Sequence, residues 1–313
     1  MTLSLRLYER YMAIRNECAI TTAADNRFAA ALFNMLASLH TNFPTHPAVY
    51  VYDLGLTPGQ RKELQSVPWL ELKTVEPFAP HWRLNWSWKH FIALQPAERY
   101  IIHCDAGVVF LRSLEMWFLS IQENSYLAFG QNQPLSQITP SNYWSLVGLD
   151  CALYKDQEAF GAGVFGFDKQ SGAGDAVREA FLLAKNGWSL GCSATETRTD
   201  LDRSVVRDCH CFRHDQTLIN LTLRKHIGGE VLVRQAKKYL GLGRGNDHPS
   251  QFLWHARRAQ GSMKYIWSPL QDYTPRFWLN RLAVYPRLVL APYKGYILNL
   301  AACVSVPKRP RNA

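Results

Sequence analysis

The stretch Tyr100-Ile-Ile-His-Cys-Asp-Ala-Gly-Val-Val-Phe-Leu-Arg-Ser-Leu114 decides how the rest of the chain is read. Its opening is a short apolar run with the composition of a buried strand, ending at one carboxylate, Asp105, and turning at Gly107. In an open α/β sheet, ligands bind just beyond the carboxyl ends of the strands, so Asp105 stands where a ligand would meet the protein. Taken alone, Asp105-Ala106-Gly107 is equally an ordinary turn. Its company tips the balance. His103, two residues before Asp105, shares that face of the strand and reads as a residue packed within the sheet.

Upstream, strands and helices alternate at short spacing. Cys18 to Ala23 reads as a first strand, and Asn26 to His40 carries Phe28, Leu32, Phe33, Leu36 and Leu39 at helical spacing. A second strand, Ala48 to Tyr52, leads into Thr57-Pro58-Gly-Gln60, where Thr57 suits a helix N-cap and Pro58 the first helical position. Leu70 to Val75 is a third strand, Trp86 to Leu94 a helix, and Tyr100 to Cys104 the fourth strand. This alternation predicts a mostly parallel sheet covered by helices. Downstream the pattern loosens. Gly161 to Asp168 reads as a strand whose glycines admit close approach, Ala173 to Lys185 and His214 to His226 as helices, and Gly187 to Cys211 as a polar loop over the site.

Four motifs fall in order: the strand ending in Asp105, Phe160-Gly-Ala-Gly-Val-Phe-Gly-Phe-Asp168, Arg213-His-Asp-Gln-Thr-Leu-Ile-Asn220, and His255 followed by Gly261-Ser-Met-Lys264. With these, the region from Cys18 to Trp267 resembles GT-A nucleotide-sugar glycosyltransferases. The nearest group is family 8, which holds glycogenin-like and lipopolysaccharide galactosyltransferase-like enzymes. The resemblance implies a GT-A, Rossmann-like α/β fold over residues 1–270, with a nucleotide-binding half at about 16–115 and an acceptor half at about 116–270. A basic aromatic extension, 271–313, follows. It also implies transfer of a sugar from a nucleotide diphosphate sugar, a UDP-sugar first, to a glycan or lipid-linked acceptor, with retention of configuration.

Roles follow from the same resemblance. Thr21, Thr22, Ala23 and Asp25, at the end of the first strand, would meet the base and ribose; Thr22 or Asp25 would equally serve as the cap of the next helix. Asp105 takes the place of the first Asp of the family's Asp-x-Asp. Ser113 and Leu114 lie six and seven residues after Gly107, as a Ser-Leu pair follows the second Asp in the family, so Gly107 replaces that Asp. A Mn²⁺ or Mg²⁺ site, built on hard carboxylate oxygens and completed by His255, is thereby weakened. Lys264 would hold the leaving diphosphate, with Ala106, Gly107 and Gly163 beside the donor and Lys89 within reach of it. Gly161 stands where the family often has Asn, removing one side-chain contact. Asp215 would bind sugar or acceptor hydroxyls and Gln216 would sit beside the anomeric carbon; the pair would otherwise simply favour the helix dipole.

At 313 residues and 47% hydrophobic content the chain can bury a full core. Seven cysteines without regular spacing suit buried thiols in a reducing compartment, and the isolated Cys209-His210-Cys211 is a weak zinc signal. Met1 to Arg15 lacks the apolar core of a signal peptide, and no stretch approaches the roughly 18 apolar residues of a membrane span. A cytoplasmic protein is expected, peripheral at the inner face of the membrane if the tail attaches it. From Arg257 onward ten basic residues face one acid, Asp272, which places +9 of the chain's +10 there, interleaved with eight aromatics. That mixture suits an anionic membrane surface; nucleic acid is the other anionic partner such a tail fits, and no nucleic-acid-binding motif accompanies it. Because Gly107 and Gly161 each remove a contact, a non-catalytic protein that binds nucleotide sugars is the alternative to a transferase.

Overall fold

In the computed structural model of the chain, the residues described are 3–190, 209, 212–228, 231, 234–235, 239–242 and 252–255. The first half runs α1 (Leu3–Ile14), β1 (Cys18–Ala24), α2 (Ala29–Asn42), β2 (Ala48–Asp53), α3 (Pro58–Gln65), β3 (Leu70–Thr74), α4 (Trp88–Leu94) and β4 (Tyr100–Cys104). The segment around β4 continues through β5 (Val108–Phe110), α5 (Glu115–Asn124), β6 (Tyr126–Leu127), β7 (Phe129–Pro134), α6 (Ser141–Val147) and α7 (Cys151–Tyr154). Then follow β8 (Glu158–Phe160), β9 (Val164–Asp168), α8 (Gly172–Lys185), α9 (Asp215–Ile227), β10 (Arg234–Gln235), β11 (Leu240–Leu242) and β12 (Leu253–His255).

The central sheet has the order β3-β2-β1-β4-β9-β6. β3, β2, β1 and β4 are parallel, and β9 runs antiparallel to both β4 and β6. β1 and β4 are buried at every residue, so neither shows the polar–apolar alternation of a half-exposed strand; both are mainly apolar, with Thr21, Thr22 and His103 buried among the apolar residues. The chain moves outward from β1 to β3 and then returns to the other side of β1, which makes the β1–β4 boundary the topological switch point. Asp105 leaves the sheet there.

Helices cover both faces. Ile101, Phe165 and Phe167 share a buried cluster with Ala93 of α4 and with Ala173, Ala176, Val177 and Ala180 of α8. On the opposite face a Cβ on Gly166 would collide with Ile121 of α5, so glycine is what lets α5 lie close to β9. Thr57 forms the predicted capping box with Gln60, and Pro58 opens α3. The predicted helix from Trp86 instead starts at Trp88, because Asn85 and Trp86 take left-handed backbone angles (φ 47° and 58°). The predicted strand from Gly161 begins at Val164; residues 161–163 form the turn between β8 and β9.

The chain divides into two compact units. The first holds residues 1–29, 46–106 and 114–235, and within it the six-stranded sheet and a second sheet of order β10-β7-β8. The other comprises 30–45, 107–113 and the described residues beyond 235. Its sheet has the order β11-β12-β5, and Phe110 of β5 is tied to α2 through both backbone groups. Its N–H donates to Ser38 Oγ (2.9 Å) and its carbonyl accepts from Asn42 Nδ2 (2.9 Å). Most of the predicted loop 187–211 and all of the 271–313 extension lie outside the described residues.

His90, on α4, is fully buried beside Phe165, and neither ring nitrogen has a hydrogen-bond partner. Burial, helped by Lys89 and His103, pushes its pKa from 6.5 down to about 3. Between those values the unfolded chain takes up a proton that the folded one refuses, so stability is fully present above pH 6.5 and falls as pH drops toward 3. His90→Phe is expected to flatten that acid limb. Urea unfolding midpoints at pH 7.5 and 5.0 check this; an acid loss in the variant equal to that of the wild type rules His90 out as a source.

Candidate functional site

Three distant segments of the first unit meet around one ammonium group. Lys89 is the second residue of α4, Asp105 the first beyond β4 and Asp215 the first of α9. Lys89 Nζ lies 3.0 Å from Asp105 Oδ1, 3.0 Å from Asp215 Oδ2 and 3.3 Å from the carbonyl of Ala162. The contact to Asp215 has the distance of an ion pair without the angles of a hydrogen bond. Lys89 is only 3% exposed, so its N–H groups are spent within the protein.

Burial alone would neutralise Lys89, yet the two carboxylates outweigh it and hold its pKa above the ordinary lysine value. Asp215 moves upward as well: burial is the main cause, Asp105 adds to it, and Lys89 opposes it. One cation between two carboxylates leaves the cluster with an excess of negative charge. Asp215, the more deeply buried acid, is made reluctant to ionise.

His103 does more than pack. Its Nδ1 is 3.1 Å from Thr21 Oγ1, joining β4 to β1 across the switch point, and its Nε2 is 3.7 Å from Asp105 Oδ1. Burial lowers its pKa, with the Lys89 charge adding to the effect and Asp105 opposing it. The Asp105 backbone N–H donates to the carbonyl of Gly163 (2.8 Å), which fixes the carboxylate against the β8–β9 turn.

The residue before α9, His214, has φ 51° and ψ −118°, a conformation that costs a non-glycine residue about 1–3 kcal/mol and persists only under tight packing. That packing is visible. His214 Nδ1 is 2.9 Å from the Ser189 carbonyl, and its ring lies against Phe212 and Trp86. Ser189 and Ser87 hydroxyls are hydrogen-bonded to each other, so the starts of α4 and α9, with Lys89 and Asp215, are clamped together.

Gln216 follows Asp215, and its Nε2 donates to Oε1 of Gln131 on β7 (3.0 Å). Asn220, one turn along α9, grips Phe160 at both backbone groups: its Oδ1 accepts from the Phe160 N–H (3.0 Å) and its Nδ2 donates to the Phe160 carbonyl (2.8 Å). The final Asn of the Asp215-to-Asn220 motif thus registers β8 on α9. Gln131 carried no signal in the sequence, being one polar residue in Gln131-Asn-Gln133.

At the end of β1, Thr21 and Thr22 are fully buried and Ala23 nearly so. Thr22 Oγ1 has no partner, and Thr21 Oγ1 is engaged by His103. Asp25 behaves as a turn cap: Oδ1 accepts from the N–H groups of Arg27 (2.9 Å) and Phe28 (3.3 Å), and Oδ2 from the Arg27 guanidinium. Ala106 is buried beside Asp105. Gly107 begins the 107–113 segment of the second unit, where the backbone of His255 pairs with Val108. The His255 side chain and Lys264 lie outside the described residues, as do His210 and Cys211.

Among the described residues no three His, Cys, Asp or Glu side chains gather closely enough to hold a metal, and Asp105 Oδ1 is met by the Lys89 ammonium. Nor is any helix among them long and apolar enough to cross a membrane.

No protein-family model matches the chain, and no curated protein matches it by sequence. In fold it is similar to the galactosyltransferase LgtC, solved in complex with donor and acceptor sugar analogues. The TM-score is 0.51 at 13% identity, over 84% of this chain and 99% of LgtC. An active-site Gln-to-Glu mutant of LgtC gives 0.50 at 13% identity, with the same coverage. The mostly parallel sheet flanked by helices is a GT-A fold, as the sequence predicted.

Proposed function

We propose that this chain is a glycosyltransferase that moves a sugar from a nucleotide diphosphate donor, a UDP-sugar first, to a glycan or lipid-linked acceptor, with retention. The observation that carries this reading is the Lys89 ammonium between Asp105 and Asp215. It joins the ligand-binding edge of the sheet to the start of the helix bearing Gln216. A merely structural ion pair would need one carboxylate; the second, with a pKa raised by burial, is spare chemistry in a strained setting.

In this reading Lys89 organises the two acids and leaves donor contact to its neighbours. Asp105 marks the diphosphate side. Asp215 and Gln216 face the sugar, where a carboxyl able to change protonation and an amide give hydroxyl groups both donors and acceptors. LgtC binds donor and acceptor sugar analogues, and a shared fold supports the same two ligand classes here. The leaving diphosphate falls to Lys264, with the basic tail as the attachment to an anionic membrane near the acceptor; both rest on sequence resemblance and charge.

Because Asp105 is already paired and Gly107 has no side chain, any contribution of Mn²⁺ or Mg²⁺ is expected to be weak, in about the millimolar range. A thermal-shift panel of nucleotide sugars with and without Mn²⁺, followed by donor hydrolysis, tests the whole proposal. The expected result is stabilisation by UDP-sugars, release of sugar, and hydrolysis that survives EDTA at a reduced rate. UDP binding without sugar release would make the chain a pseudoenzyme; no stabilisation by any nucleotide sugar would remove the function altogether.

A further inference from the structure

Gly161 lies in the turn between β8 and β9, and the space where its side chain would stand is filled by the amide of Gln131. A Cβ at position 161 would fall inside van der Waals contact with Gln131 Nε2, so the Gln131 amide would have to turn aside. The same Gln131 accepts from Gln216 at 3.0 Å, while Asn220 fixes the adjoining Phe160 to α9. Gln131 itself is exposed, so its amide is not burying surface or stabilising a core. Either way round, two carboxamides sharing one hydrogen bond keep an unshared carbonyl oxygen on one amide and an unshared NH2 group on the other. A sugar hydroxyl, which donates and accepts at once, is complementary to such a pair.

We infer that Gln131 is a positioning residue for Gln216 and the second half of an amide pair that reads a hydroxyl of the transferred sugar. It supplies from β7 the carboxamide that Gly161 cannot supply from the β8–β9 turn. The inference rests on the glycosyltransferase reading above and names a residue and subsite within it. Without Gln131, the Gln216 side chain loses its hydrogen-bond partner and has several rotamers in place of one.

The test is a double-mutant cycle on the full chain with UDP-sugar as donor, reading kcat for donor hydrolysis, UDP affinity by calorimetry, and melting temperature. Gln131→Ala is expected to lower kcat by about 10- to 100-fold while UDP affinity stays within about twofold, because only the placement of Gln216 is lost. Gly161→Asn alone should also lose activity, since its Cβ makes the Gln131 amide swing out of that space and away from Gln216. Combined, Gln131→Ala with Gly161→Asn should regain most of the lost kcat, as a carboxamide returns to the same gap from the other side. A purely structural contact would not produce that rescue. Wild-type kcat in Gln131→Ala, or a double variant no better than the worse single one, overturns the inference while the function stands. A wild type that hydrolyses no nucleotide sugar overturns both.

Discussion

Lys89→Met is expected to cost about 3–5 kcal/mol of folding stability, the usual penalty for removing one partner of a buried charge cluster. Lys89 stands 3.0 Å from each of two carboxylates and is 3% exposed, so its loss leaves Asp105 and Asp215 facing each other without the intervening cation. Their repulsion, not the loss of lysine's own packing, is the main term: methionine nearly matches the aliphatic stem. Adding Asp215→Asn to Lys89→Met should therefore recover part of the stability, since it removes one of the two stranded charges. Chemical unfolding of the single and double variants at neutral pH measures this directly. If the double variant is less stable than Lys89→Met, the cluster is not held together by charge and the assignment fails. Lys89→Arg should not rescue, because a planar fork cannot place one compact charge among three oxygens in a closed site.

The second large effect concerns turnover. Asp215→Asn keeps shape and burial but removes the ionisable group, and Gln216→Ala removes the amide next to it. Each is expected to lower donor turnover by about 10²- to 10³-fold, the scale of losing one preorganised polar group in a closed site. UDP affinity should change by no more than a few-fold. The Lys89–Asp105 contact persists in Asp215→Asn, so the melting temperature should move less than in Lys89→Met. Comparing calorimetric UDP binding with single-turnover hydrolysis separates the cases. Parallel losses in binding and turnover would reduce Asp215 and Gln216 to residues that merely start a helix.

Local physics made much of the architecture readable from the chain alone. The mainly apolar, charge-free runs of β1 and β4 announce strands buried on both faces. Thr57, Pro58 and Gln60 announce a helix start, because capping satisfies backbone groups within four residues of sequence. The kink at Asn85 and Trp86 was not legible: left-handed angles in non-glycine residues are imposed by packing, here the Ser87–Ser189 and Trp86–His214 contacts.

The site divides in the same way. Asp105, Asp215, Gln216 and Lys89 could be named as candidates because each sits beside a recognisable local signal, a strand end or a helix start. What they do to one another was invisible. Lys89 is 16 residues from Asp105, and Asp215 a further 110 away, and no periodicity links them. Sequence placed Lys89 near the donor; tertiary structure sets its charge between two carboxylates. Gly161 read as a lost contact, and only the pairing of β7 with β8 brings Gln131 into the vacant space. Residue type and local pattern determined which groups the chain owns and which element carries each. Which group meets which was decided by strand register and helix packing, because electrostatics and hydrogen bonds act through ångströms of space and are blind to distance along the chain.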